Sequence, residues 1–464
     1  MTYAFTFDAA FCSGCKACQA ACKDKNNLPS GVLWRRVYEV TGGGWQKEGE
    51  AWNNTIFAYN LSIACNHCIH PKCAGICPAN AYVIRDDGIV ILDTSKCIGC
   101  GYCAWACPYG APQYNAEAGY MTKCNFCFDN MDQGLPPACV AACPMRVLDY
   151  GEADTQQVVA NRLALWDAPP EEHPYPLPNS SHTQPRVAIK LHPAMNGIEK
   201  KFVANFEEVQ PRAPSTWEDV PLVLFTLLTQ MAVGGFWAML WTFPQTWALA
   251  GQAIPLSQLL PMLLIGLCLG AGMLASLTHL GTKKKALFAL RNLRRSWLSR
   301  EVLFSGLFGA GWLFTLLANL SGTRNIIEWT ALTAAIGLGF VYSMAQVYRL
   351  RAIPAWNTWR TNAGFIVSAL LLGQTLIATL LPYESKAISS IVLILLLGQL
   401  LLIHKQVHRS PLHTLRSRLL LLGVIVSAIG LLLTSLNVAW LNLLITLLVV
   451  MEEGIGRWLF YRSR

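Results

Sequence analysis

The sequence predicts a two-part molecule: an α+β domain at the N-terminal end and an all-α, polytopic helix bundle behind it. Three observations carry this. Sixteen of the seventeen cysteines lie between Cys12 and Cys143, in four groups of four. Up to about residue 215 the chain is polar and rich in proline; from about Val220 it runs in long Leu/Ile/Val/Ala/Gly stretches. Those stretches match the roughly 20 apolar residues that a helix needs to cross a bilayer core. The overall 53% hydrophobic and 14% charged fractions are averages over these unlike halves. A chain of 464 residues exceeds one ordinary core in any case.

The cysteine groups are Cys12-Cys15-Cys18-Cys22, Cys65-Cys68-Cys73-Cys77, Cys97-Cys100-Cys103-Cys107 and Cys124-Cys127-Cys139-Cys143. The first and third have the C-x2-C-x2-C-x3-C spacing that binds cubane [4Fe-4S] clusters. Pro78, Pro108 and Pro144 follow the last cysteine of the second, third and fourth groups. In the spaced run three close cysteines hold one cluster and the fourth reaches to another. At four thiolates per cluster, sixteen cysteines predict four clusters, an electron wire. Disulfides belong to exported chains, and zinc knots take two cysteine pairs per ion without needing the longer run.

The domain expected over 1–150 is ferredoxin-like, with two nested bacterial-type 2[4Fe-4S] units. Strands at Ala81–Ile84 and Ile89–Leu92 flank the turn Arg85-Asp86-Asp87-Gly88 as a hairpin. The insert Trp34–Tyr59 reads as a β-excursion. Residues 151–215 form a Pro-rich connector that cannot continue helices or central strands. Its interspersed Val187, Ile189 and Leu191 favour a strap packed on the first domain. Residues 216–464 form the integral membrane part, with spans expected near 220–243, 257–279, 302–320, 329–347, 363–381, 386–404, 418–434 and 437–456. Glycines punctuate these spans, as close helix packing in lipid favours. Trp237, Trp241, Trp247, Trp329, Trp440 and Trp458 fit belts at the membrane interface.

Basic residues set the expected orientation. The loops 280–301, 348–362 and 404–418 and the tail carry Lys283, Lys284, Lys285, Arg291, Arg294, Arg295, Arg300, Arg349, Arg351, Arg360, Lys405, Arg409, Arg416, Arg418, Arg457, Arg462 and Arg464. The other side carries only Arg324 and Lys386. The positive-inside rule makes the basic side cytoplasmic, and with eight spans it is also the side of the cluster domain. No targeting segment is expected ahead of the first cluster motif. The net charge of +9 therefore reflects membrane orientation; nucleic acid is not an expected partner.

Both halves resemble one family. CIGCGYCAWACPYGAPQYN (Cys97–Asn115) is similar to the iron–sulfur electron-transfer subunits of the dimethyl sulfoxide reductase family of molybdoenzymes, a likeness spanning nearly all of 1–215. The rest resembles the eight-helix anchor subunit of the same enzymes, through Thr216–Phe236, SLTHLG (Ser276–Gly281), LSREVLFSGLF (Leu298–Phe308), IPAWNTW (Ile353–Trp359) and EGIGRWLFY (Glu453–Tyr461). Two subunits are usual there; here they are fused, and the molybdopterin-binding catalytic subunit must be a separate protein. The resemblance implies ligand sets: Cys12, Cys15, Cys18 and Cys143; Cys22, Cys124, Cys127 and Cys139; Cys65, Cys68, Cys73 and Cys107; and Cys77, Cys97, Cys100 and Cys103. It places the second nested pair toward the membrane and the first toward the catalytic subunit. Related nitrate reductases have tryptophan in place of Cys103 and a three-iron cluster.

No bis-histidine pattern suited to haem stands out in the spans, so a quinol from the membrane pool, menaquinol above all, is the expected partner. Quinol oxidation needs a base near the hydroxyl. His279 and Glu301, at neighbouring span ends, and Glu453 and Arg457, one helical turn apart, are the candidates. Each has a plainer reading: His279 as a helix cap, Glu301 as a dipole partner, Glu453–Arg457 as a structural ion pair. Gln230 reads as an interhelical hydrogen bond and Cys268 as a packing residue. The expected function is quinol oxidation feeding S- or N-oxide reduction in anaerobic respiration. The alternative runs the same hardware in reverse, from a cytoplasmic sulfite-type dehydrogenase to quinone. An ion pump would want charges at mid-bilayer, and a purely structural anchor would not keep sixteen cysteines.

Overall fold

In the computed structural model the chain divides into two compact units, Met1–Ser215 with Lys284–Phe288, and Thr216–Lys283 with Ala289–Arg464. The structure describes residues 1–54, 56–154, 156, 183–190, 192–193, 219–242, 256–323, 326–380, 385–403, 411–432 and 439–463. Most of the expected connector, the segment 404–410 with Lys405 and Arg409, and Trp247 lie outside them.

The first unit is built from small sheets laced by cysteine loops. Strand β1 (Tyr3–Asp8) pairs antiparallel with β10 (Leu148–Glu152), so the two ends of the cysteine region close on each other. On its other edge β1 pairs in parallel with β11 (Val187–Lys190). Val187, Ala188 and Ile189 are buried, so this part of the Pro-rich segment is a sheet strand with a core face. The β-excursion is two hairpins, one inside the other: β2 (Arg36–Gly42) pairs with β5 (Phe57–Ile63), and β3 (Trp45–Glu48) with β4 (Ala51–Asn54). The expected hairpin after the second cysteine group forms from β6 (Tyr82–Ile84) and β7 (Val90–Leu92). Gly88 takes φ +80 at its turn, where a side chain would be strained and would also meet the Arg186 guanidinium. A third hairpin joins β8 (Gln113–Asn115) and β9 (Tyr120–Thr122). Short helices α1 (Ala17–Lys25), α2 (Lys72–Ile76), α3 (Tyr102–Ala106), α4 (Phe128–Met131) and α5 (Ala138–Ala141) each carry or follow cysteines of one group.

The second unit has eight long helices among the described residues: α6 (Val220–Thr242), α7 (Leu256–Thr278), α8 (Trp297–Leu320), α9 (Ile327–Tyr348), α10 (Trp359–Leu380), α11 (Ser385–Ile403), α12 (Pro411–Leu432) and α13 (Ala439–Arg462). Six of them, α6 to α10 and α12, have a described stretch long and apolar enough to cross a membrane by length and composition. The boundaries depart from expectation where basic residues were read as loop. Helix α12 begins at Pro411, seven residues before the expected 418, and α13 runs on to Arg462. Arg416, Arg418, Arg457 and Arg462 therefore lie in helices, and Arg416 and Arg457 are turned into the bundle. The physical reason is pairing: an arginine with an internal partner need not end a helix. Between α7 and α8, Lys283–Leu290 form a 3-10 helix, and Ser296 caps α8 by accepting the Ser299 N–H.

Candidate cluster sites and membrane polar cluster

All four cysteine groups share one backbone device. The residue just before the second cysteine has positive φ in every group: Gly14 at +70, His67 at +40, Gly99 at +72 and Phe126 at +63. This curls each C-x2-C turn the same way. Glycine adopts that conformation freely, whereas His67 and Phe126 must be held there by their surroundings. Both are buried, they meet edge to face at 5.2 Å, and Phe126 stacks on Phe5 at 4.1 Å. The His67 Nδ1 accepts the Val90 N–H at 3.0 Å. At Gly14 there is a second constraint, because a Cβ would lie 2.6 Å from the Asn60 side chain.

The turns bring the cysteines together across groups. Cys12, Cys15, Cys18 and Cys143 line one cavity enclosing about 320 Å³ of empty space. Cys65, Cys68, Cys73 and Cys107 line another of about 390 Å³. The other eight are grouped by their electrostatics. Burial pushes the Cys22 thiol up to about 12, with Cys139 and Cys127 adding to it. Cys124 is raised well above its ordinary value by burial and then by Cys22, Cys65 and Cys139. Burial pushes Cys100 up to about 12, helped by Cys77 and Cys97, and Cys103 is raised by burial and by Cys100 and Cys77. Neighbours across the quartets are Cys18 with Cys139, Cys124 with Cys65, and Cys103 with Cys73. These links arrange the quartets in one series: Cys12/15/18/143, Cys22/124/127/139, Cys65/68/73/107, Cys77/97/100/103.

The donor chemistry fits iron–sulfur clusters. Closely buried thiols that repel one another as anions are stable as thiolates only around cations, and a coordinating thiol is deprotonated outright. Among the described residues no three His, Cys, Asp or Glu converge as a single ion would need; the quartets spread around cavities instead. Three cations are buried beside them, Lys123, Arg35 and Arg36, the last donating to the Tyr109 carbonyl at 2.9 Å. Lys123 donates to the Cys124 carbonyl at 2.8 Å and to the Val90 carbonyl. Arg35, only 2% exposed, lies near Cys139, Cys124, Cys18 and Cys22.

The helical unit holds a second polar cluster. Glu301, 3% exposed, sits one turn into α8, and its Oε1 has no hydrogen-bond partner among the described residues. Tyr348 and Tyr461 share a hydrogen bond of 2.6 Å between their hydroxyls, and both lie within electrostatic reach of Glu301 and Arg457. Arg457 donates to Gln230 Oε1 at 2.9 Å and stacks over Phe365 at 3.8 Å. Glu453 accepts from Ser368 at 2.8 Å and Gln399 at 2.9 Å. Glu453 and Arg457 thus each bond elsewhere, and the structural ion pair on α13 is Arg416–Glu452 at 2.7 Å. Gly456 leaves the room for it, since a Cβ there would lie 2.4 Å from the Arg416 guanidinium. His279 follows the last residue of α7, with its Nδ1 buried and unpartnered among the described residues. Cys268 packs against the Met231 sulfur at 3.9 Å. Sequence reasoning treated Glu301 and Arg457 as alternatives; the structure sets both within electrostatic reach of two tyrosines that apolar patterning had left unmarked.

These features define an iron–sulfur electron-transfer domain joined to a helical membrane anchor. The chain belongs to the DMSO reductase anchor subunit (DmsC) family, whose model matches residues 214–462, and a 4Fe-4S dicluster domain model matches residues 56–153. The N-terminal part is 44% identical over 209 residues to the B subunit of the anaerobic dimethyl sulfoxide reductase of Escherichia coli K12, covering 45% of this chain and 98% of that protein. The corresponding subunit of Haemophilus influenzae is 42% identical over 210 residues, covering 45% of this chain and 98% of that protein. The formate dehydrogenase iron-sulfur subunit of Wolinella succinogenes is 36% identical over 183 residues, covering 35% of this chain and 86% of that protein.

Proposed function

We propose that the chain carries electrons through four [4Fe-4S] clusters between the membrane quinone pool and a separate molybdopterin catalytic subunit, oxidising menaquinol or a similar quinol to drive reduction of an S- or N-oxide such as dimethyl sulfoxide. The observation that carries this is the series of four cysteine quartets in a chain that also has a membrane anchor. Bound clusters supply one-electron storage and transfer. The protein holds each with four thiolates drawn from two sequence groups, so losing one turn would disturb two neighbours.

The quinol end belongs with His279 and Glu301. Glu301 Oε1 is a buried acceptor without a partner among the described residues and suits a proton leaving a quinol hydroxyl; burial pushes the His279 imidazole down to about 4, so it stands neutral and can accept a hydrogen bond from the second hydroxyl. The hydrogen-bonded Tyr348–Tyr461 pair lies within electrostatic reach of both Glu301 and Arg457. The chain sits in the inner (plasma) membrane with its iron–sulfur unit on the cytoplasmic side. Without the two buried arginines the basic asymmetry of the loops still points that way. That side also suits the reverse current, in which a sulfite-type dehydrogenase passes electrons to quinone through the same residues.

Iron and acid-labile sulfide assayed after anaerobic purification of the complex test the four-cluster reading. About sixteen irons per chain are expected at four per quartet. Eight irons, or stoichiometric zinc, would overturn it.

A further inference from the structure

We infer that Arg35 is the built-in counter-charge of the first two clusters in the series and holds their reduction potentials up. The inference rests on the four-cluster reading above.

Arg35 follows Trp34 at the start of the β-excursion, and its side chain enters the interior of the first unit. Its Nη1 donates to Ser62 Oγ at 3.2 Å, and the same Ser62 oxygen lies 3.5 Å from Cys18 Sγ. Serine therefore bridges the guanidinium to a ligand of the first quartet. The guanidinium stacks over Phe5 at 4.6 Å. Its Nε and Nη2 are buried with no hydrogen-bond partner among the described residues. Among the described residues no carboxylate forms an ion pair with it. Leaving a buried charge without a partner is strongly destabilising, so the site must supply an anion. The groups that favour its charge are Cys139, Cys124, Cys18 and Cys22: one from the first quartet and three from the second. A cubane with four thiolate ligands is itself an anion at this place.

The consequence is electrostatic. When a cluster takes up one electron, delivered from its neighbour in the series, no bond to the protein forms or breaks, and the site gains one negative charge. A fixed cation in a low-dielectric interior stabilises that reduced form over the oxidised one. Arg35 cannot lose its proton in the working pH range, so the bias is permanent. Lys123 differs, because backbone carbonyls already accept from its ammonium group.

The test is a redox titration followed by electron paramagnetic resonance on the whole complex. Arg35→Gln should keep the full iron and sulfide content. Two of the four midpoints should fall, with the reduced-to-oxidised ratio at fixed potential dropping about tenfold, or about 59 mV for one electron. Arg35→Lys, which keeps the charge, should restore most of the fall; a purely structural role would not separate the two variants. Cys103→Ser marks the fourth quartet, where losing a thiolate corner favours a three-iron cluster. In the double variant the marked signal should not be among those that move. Unchanged midpoints in a fully loaded Arg35→Gln complex, or a shift confined to the marked cluster, would overturn the inference. If Arg35→Gln does not assemble, Ser62→Ala decides: a lower midpoint for one cluster supports the assignment, and an unaltered titration overturns it. Eight irons in the unmodified chain would instead overturn the four-cluster reading.

Discussion

His279→Ala and Glu301→Gln, each made in the full complex, are expected to abolish quinol-linked turnover while leaving cluster content and dye-linked activity intact. A positioned base contributes about 10²–10⁴-fold to a proton-transfer step, so the loss should be of that order. The glutamine keeps the size of Glu301 and its hydrogen-bonding reach but cannot take a proton. It also avoids leaving a void in a side chain that is almost fully buried. Dyes that donate directly to the clusters bypass the helical unit, which separates a proton-handling defect from misfolding. Normal quinol-dependent rates in both variants would place the site elsewhere, and Glu453 and Arg457 would then be tested first.

Gly234→Ala and Gly373→Val are expected to remove the assembled anchor from the membrane altogether. The two glycines face each other where α6 crosses α10. A Cβ on Gly234 would lie 1.7 Å from the Ala369 carbonyl oxygen, and one on Gly373 would lie 1.9 Å from the Gly234 carbonyl carbon. Overpacking a core costs typically about 1–3 kcal/mol when side chains can yield. Here the obstacle is backbone, so both helices must separate and the cost should reach or exceed the top of that range. Helices in lipid associate through just such close packing. Immunodetection in washed membranes is the measurement; wild-type levels of both variants would show that the crossing is looser than described. Gly270→Ala serves as control, because a Cβ there meets nothing within 4 Å.

Much of the fold was legible because its signals are local. The β6–β7 hairpin came from a turn sequence, the helices from runs of apolar residues, and the cysteine turns from spacing. Spacing alone did not pair Cys12 with Cys143 or Cys65 with Cys107, which line common cavities. What stayed hidden needed three dimensions. His67 and Phe126 carry no glycine signal, because packing against each other and Phe5 holds the left-handed turn. Arg416 and Arg457 looked like membrane-edge charges, because their partners Glu452 and Gln230 come from α13 and α6. Tyr348 and Tyr461 lie 113 residues apart, and only the bundle brings their hydroxyls together. Arg35 sits in a run of ordinary β-hairpin residues, with nothing in its neighbourhood to announce a buried cation.

The central claim is that electrons pass between membrane quinone and a series of clusters held by this chain. Its most direct test is anaerobic mixing of the oxidised complex with a reduced quinone analogue, following cluster absorbance and electron paramagnetic resonance together. The prediction is rapid bleaching, growth of reduced-cluster signals, and reversal on adding excess oxidised quinone, all lost in Glu301→Gln. Clusters that dithionite reduces but that neither quinol nor quinone can touch would contradict it.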